Sequence, residues 1–170
     1  RIGELTFTSV TGYDRFERTL NLDWDGTPAR LLGVTAETEI ESLSQEFRLA
    51  SGDESALNWL LGAYLSTDTV EDVSHYDDSE SPTVGFTFGS ESRQETDSAA
   101  LFGHASWKFA EQFRLNLGGR FTSESRAMEN CTVDTGDGTA ATALLTFQAL
   151  GMLTLTNPEA LEPGGCIHLE

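Results

Sequence analysis

The feature that most constrains this 170-residue chain is a two-residue period in hydrophobicity. Successive side chains of a β-strand point to opposite faces, so apolar residues at alternate positions mark a strand with one apolar face. Residues 4–13 open the pattern with Glu-Leu-Thr-Phe-Thr-Ser-Val-Thr-Gly-Tyr, rich in β-branched and aromatic types. In residues 40–50, Leu43, Phe47 and Leu49 share one parity and Ser44, Glu46 and Arg48 the other. Residues 56–70 align Leu57, Trp59, Leu61, Ala63 and Leu65 after a turn at Ser51-Gly52-Asp53-Glu54-Ser55. Residues 98–109 set Leu101, Gly103, Ala105, Trp107 and Phe109 against Phe102, His104, Ser106 and Lys108. Ala110-Glu111-Gln112 then turns the chain into residues 113–122, where Phe113, Leu115, Leu117 and Phe121 oppose Arg114, Asn116, Arg120 and Thr122. The pattern predicts about five antiparallel strands, at least two pairs of them joined by short turns.

Connection lengths alternate as well. Tight turns follow residues 50 and 109, while long polar stretches cover 14–38, 71–96 and 127–170. Short turns at one end and long loops at the other describe an outer-membrane barrel, where a soluble sandwich has more even turns. The Glu46/Arg48 and Arg114/Arg120 parity carries charge that a dry core does not tolerate unpaired. A hydrated lumen accommodates it, and so does solvent on a half-exposed sheet. On the apolar parity, Trp59, Trp107, Phe109 and Phe113 gather near the short turns, as in an interfacial aromatic girdle or an ordinary aromatic core. Periodicity alone leaves barrel and soluble sheet open.

Composition excludes other classes. With 10 basic and 28 acidic residues the net charge is −18, against nucleic-acid binding, which needs a cationic footprint. No run of about 18 apolar residues offers a transmembrane helix, a test that strands escape by alternating.

Several segments resemble strands of TonB-dependent outer-membrane receptors. They are Thr8-Ser9-Val10-Thr11-Gly12-Tyr13, Ser44-Gln45-Glu46-Phe47-Arg48-Leu49-Ala50-Ser51 and Leu57-Asn58-Trp59-Leu60-Leu61-Gly62-Ala63-Tyr64. Ala100 to Phe109 and Leu115-Asn116-Leu117-Gly118-Gly119-Arg120-Phe121-Thr122-Ser123-Glu124-Ser125-Arg126 are similar too, in the family's order, with Phe121 where the family often has Tyr. The resemblance implies an all-β antiparallel meander from an outer-membrane barrel, with long loops and one short loop helix. Such receptors close about 22 strands around a plug, and neither plug, TonB-contacting segment nor closing strand is recognisable here. The expectation is therefore an internal barrel segment: strands over 1–126 and a large extracellular-type loop over 127–170. The implied function is active uptake of a scarce solute, of siderophore, vitamin or saccharide class, across a Gram-negative outer membrane. The implied partners are the rest of the barrel and plug, the TonB system, lipid and lipopolysaccharide, and a small solute. Glu46, Arg48, Arg114 and Arg120 are then expected to line the lumen or pair across it. The alternative is a soluble, secreted β-rich binding module with acidic recognition loops, its apolar parity buried between sheets.

The remaining motifs carry little chemistry. Asn21-Leu22-Asp23-Trp24-Asp25-Gly26 is similar to half of a calcium loop, but Leu32 occupies the position of the bidentate Glu, so a turn is expected. The acidic run from Val70 to Glu80 reads as a solvated loop, with attraction of a cationic or metal-chelate ligand as its functional reading. His75, His104 and His168 have no metal-ligand spacing, and no metal or cofactor is implied. Cys131 and Cys166 are 35 residues apart without a CxxC, and a disulfide closing the 127–170 loop in an oxidising compartment is expected over two unpaired thiols. Ala140, Leu144, Phe147 and Leu150 follow helical spacing within 139–155, before turns at Asn157-Pro158 and Pro163-Gly164-Gly165. No nucleophile elbow, phosphate loop or zinc-protease motif occurs, so no enzyme is expected.

Overall fold

The structure, a computed structural model, describes residues 5–28, 31–52, 56–78, 80, 85, 87–135 and 138–152, with the backbone of 166–167. Five long strands follow one another: β1 Thr6–Asp23, β2 Gly33–Ala50, β3 Leu57–Asp77, β4 Thr87–Ala110 and β5 Phe113–Asp134. A helix, α1 Thr139–Ala149, and a two-residue strand, β6 Cys166–Ile167, complete them. The sheet order is β1-β2-β3-β4-β5-β6, an antiparallel meander as the alternation predicts. β6 lies antiparallel to the end of β5, Thr132 opposite Ile167 and Val133 opposite Cys166.

The strands are longer than expected. Residues 14–23, 71–77, 87–97 and 123–134 read as loop or unassigned, yet belong to β1, β3, β4 and β5. In 14–23 the apolar Phe16, Leu20 and Leu22 fall on the even parity, opposite to the odd apolar parity of Phe7 and Tyr13. The other three stretches are largely polar on both faces, so the regular pattern in residue type is lost where alternation in direction persists. Cross-strand polar pairs hold them instead. Arg15 bonds Glu41 at 3.2 Å and Arg93 pairs with Glu71, while Thr38 donates to Asp72 at 2.8 Å. The acidic run from Val70 accordingly stands on β3 as far as Asp77. The short helix expected within 139–155 runs from Thr139 to Ala149, where Gly151 takes the left-handed conformation that closes it (φ 71°). The expected turns at 53–55 and 157–165 lie outside the described residues, as does His168.

Contacts fix the two faces of the sheet. Phe7 stacks on Phe47 at 6.1 Å and Thr67 donates to Asp97 at 2.8 Å, both odd-numbered pairs. Thr38 with Asp72, and Tyr76 with Phe88 at 4.5 Å, are even-numbered pairs.

The chain forms two compact units. The first comprises Arg1–Arg15, Glu41–Thr69 and Glu95–Ala127; the second comprises Phe16–Ile40, Val70–Gln94 and Met128–Glu170. In the first, the odd face is apolar and open: Leu61 is 57% exposed, Leu117 62% and Phe121 74%. Among the described residues the buried hydrophobics of the whole chain are Val34, Ala100, Val133, Ala140 and Ala141, with no large side chain among them. This corrects the alternative reading: the Leu/Phe/Trp parity is not buried between sheets. In the second unit, Asp134 closes β5 and caps α1, accepting the Gly138 and Ala141 N–H groups at 3.0 and 3.1 Å.

Candidate functional site

The even face of the first unit collects the polar side chains singled out as candidates. Glu46 and Arg48, two apart on β2, point the same way and bond each other. Arg120 Nε donates to Thr122 Oγ1 at 3.0 Å, and its guanidinium lies 5.7 Å from the ring centroids of both Tyr64 and Phe102. This is a cation–π bracket, with one ring from β3 and one from β4. Gly62 makes it possible, because a Cβ there would overlap the Phe102 ring. Arg114 shares the parity of Arg120, six residues back along β5 (~20 Å in an extended strand), and is exposed. Two candidate charges are thus brought together in one pair, while Arg120 and Arg114 stand apart.

On the odd face, Trp107 and Phe109 are 5.6 Å apart and Phe109 stacks on Phe113 at 5.9 Å, next to the β4–β5 turn. Trp59 shares this parity on β3, its N–H held by Ser51 Oγ at 2.9 Å in the β2–β3 turn. The apolar stretch runs from Leu57 to Leu65 on β3 and from Phe113 to Phe121 on β5, nine residues each. A membrane-crossing strand needs roughly 9–11. Beyond it, Leu43, Leu65, Ala99, Ser123 and Ser125 border an open groove of about 610 Å³ that also takes in Thr67 and Asp97.

In the second unit, the calcium-like motif is a carboxylate-closed turn. Asp25 accepts the N–H groups of Thr27, Leu31 and Leu32 at 2.9, 3.0 and 2.9 Å, and the Thr27 hydroxyl as well. Trp24 N–H bonds Leu32 O at 3.0 Å, and Gly26 supplies the left-handed residue (φ 63°). The Thr27 hydroxyl, then the Leu32 and Thr27 amides, hold the Asp25 carboxyl well below the usual carboxylate range. A lowered folded-state pKa gives stabilisation that is complete above the ordinary value of about 4 and is lost as pH falls through the depressed one. The Thr27 and Leu32 amide resonances are therefore expected to hold steady from pH 7 to about pH 4 and to move only below it. Asp25→Asn should shift both already at pH 7. A midpoint at the ordinary carboxylate value would overturn this.

Sequence reasoning missed an aromatic ladder on the even face. Trp24 lies 5.9 Å from Tyr76, tilted by 35°, and Tyr76 stacks on Phe88 at 4.5 Å and 7°. The three rings come from the β1–β2 turn, β3 and β4, and no spacing links them along the chain. The even parity shared by Tyr76 and Phe88 is the signal that could have paired two of them.

Among the described residues no group of three or more His, Cys, Asp or Glu is placed to hold a metal. Among the described residues there is no free cysteine, and the side chain of Cys166 lies outside them.

No family model matches the chain, and no curated protein matches it. Among solved structures it resembles the ferric yersiniabactin uptake receptor FyuA of Yersinia pestis, with a TM-score of 0.65 and 18% identity over 81% of this chain. The chain spans 20% of that receptor's length. At this identity the likeness is one of fold: the chain has an antiparallel strand meander of the kind a β-barrel contains.

Proposed function

We propose that the chain is a wall segment of a TonB-dependent outer-membrane transporter that takes up a scarce solute. The observation that carries this reading is the exposed apolar odd face of the first unit. A sheet with Leu61, Leu117 and Phe121 more than half exposed needs an apolar surrounding, and a single sheet provides none of its own. The nine-residue apolar stretches suit a bilayer, and the fold likeness to an uptake receptor supports the same reading. In this proposal the odd face meets lipid, and Trp59, Trp107, Phe109 and Phe113 form an interfacial girdle beside the short turns. Glu46, Arg48, Arg114 and Arg120 then face the lumen and the plug. The division at 126/127 remains part of the proposal, with β5 carried on to Asp134. So does a Cys131–Cys166 bridge, for which β6 brings Cys166 opposite Val133, two residues from Cys131.

The test is an immunoblot against this segment on outer-membrane and soluble fractions of the source cells, boiled and unboiled. A heat-shifted membrane band several times larger than 18.5 kDa is expected. A soluble band near that mass would reject the transporter reading. Arg120→Leu in the same protein should lower the outer-membrane level or the uptake rate; both unchanged would remove Arg120 from the lumen.

A further inference from the structure

We propose that the Trp24–Tyr76–Phe88 ladder is a stacking platform for a cationic, ring-bearing solute. The inference deepens the uptake reading above and rests on it for the platform's role in capture, though binding itself can be measured without it.

Two independent observations converge. The first is geometric. Tyr76 and Phe88 are locked face to face, and both are half-buried on ladder-held strands. Trp24, at the end of the row, is 61% exposed and has Tyr76 as its ring neighbour, so much of its indole is within reach of a further ring. A large exposed aromatic backed by a fixed ring is poised to take up another ring. The second is electrostatic. The unit that holds the ladder contains 17 of the 28 acidic residues but 3 of the 10 basic ones, a net −14 against −4 for the rest. Such a field concentrates cations near the rings and repels anions. The face of an indole adds its own attraction for positive charge.

The nearby groups agree with this assignment. On the ladder's face, Arg18 Nη2 donates to Thr38 Oγ1 at 3.4 Å, and Thr38 in turn donates to Asp72 at 2.8 Å, so one carboxylate offsets that guanidinium. Asp72 also accepts from Ser74 at 3.1 Å, which fixes a negative charge four residues from Tyr76 on the same parity. Asp25, next to Trp24 in the turn, keeps its carboxylate engaged with the backbone. A neutral sugar ring could use the same aromatic face; the charge imbalance favours the cation.

Calorimetry on the full-length protein in neutral detergent tests this, with N-methylquinolinium, quinoline and quinoline-2-carboxylate as probes. The cation is expected to bind at least about tenfold tighter than the carboxylate, and to weaken severalfold in high salt. Trp24→Ala should lose about tenfold of that affinity, and Trp24→Phe should keep most of it. Equal or tighter binding of the carboxylate overturns the proposal, as does equal binding of neutral quinoline or an unchanged affinity in Trp24→Ala. A heat-shifted band in each variant certifies its fold. Cation binding by a protein absent from the outer membrane would keep the platform and reject the transporter. An outer-membrane protein that binds none of the probes would do the reverse.

Discussion

Leu117→Arg is expected to destabilise the protein in phospholipid vesicles by about 2–4 kcal/mol, the cost of an Arg near the midplane on the lipid face of a barrel. Leu117 sits centrally in the Phe113–Phe121 stretch of β5 and is 62% exposed in the sheet. On a sheet bathed in water the same change should fall within about 0.5 kcal/mol, because surface substitutions seldom matter more. Asn116→Arg, one residue away on the polar parity, provides the control and should stay within that range. Urea unfolding in vesicles, followed by tryptophan fluorescence, reads both variants. Equal stabilities for the two would show that the odd face of β5 does not meet lipid.

Asp134→Ala should release the start of α1 and the last residues of β5. The carboxylate is 2% exposed and takes two backbone N–H groups, one of them reaching it from inside the first turn of the helix. Hydrogen bonds to a charged group contribute about 1.5–3 kcal/mol each, and their loss here leaves N–H donors without an acceptor. A local loss of about 2–4 kcal/mol follows, confined to the segment around the helix. Hydrogen exchange should show faster exchange at Gly138 and Ala141, while amides in the middle of β3 remain protected. Unaltered exchange at Ala141 would mean that another group caps the helix. Asp134→Asn, which keeps the shape and removes the charge, should fall between the two.

How much of this was legible in the sequence depended on chemical contrast between faces. From Leu57 to Leu65 and from Phe113 to Phe121, apolar residues oppose polar ones, and the strands could be read directly. In Glu91-Ser92-Arg93-Gln94-Glu95 both faces are polar, so the strand is invisible until Arg93 is seen to meet Glu71 across the ladder. That pairing depends on register, which the sequence does not display. The turn at Asp25 was expected, but the way its carboxylate closes that turn was not legible, for a related reason. Its partners Leu31 and Leu32 lie six and seven residues ahead and are backbone groups, so no residue type announces them. Of the candidate site, the parity of Arg120 was apparent, but its bracket by Tyr64 and Phe102 was not. That arrangement needs the ring of Phe102 laid over a glycine on the neighbouring strand.

Strand length has a final consequence. β3 and β4 run to 21 and 24 residues, about twice what a bilayer crossing uses. Tyr76 and Phe88 therefore stand on hydrogen-bonded ladder and not on loose chain. Capturing a ligand on loops means freezing them, at about 0.5–1.5 kcal/mol for each side chain immobilised. Trp24 lies in the β1–β2 turn, but the two rings behind it are already fixed on a ladder, so only the indole remains to be ordered and even weak stacking contacts can be expressed as affinity.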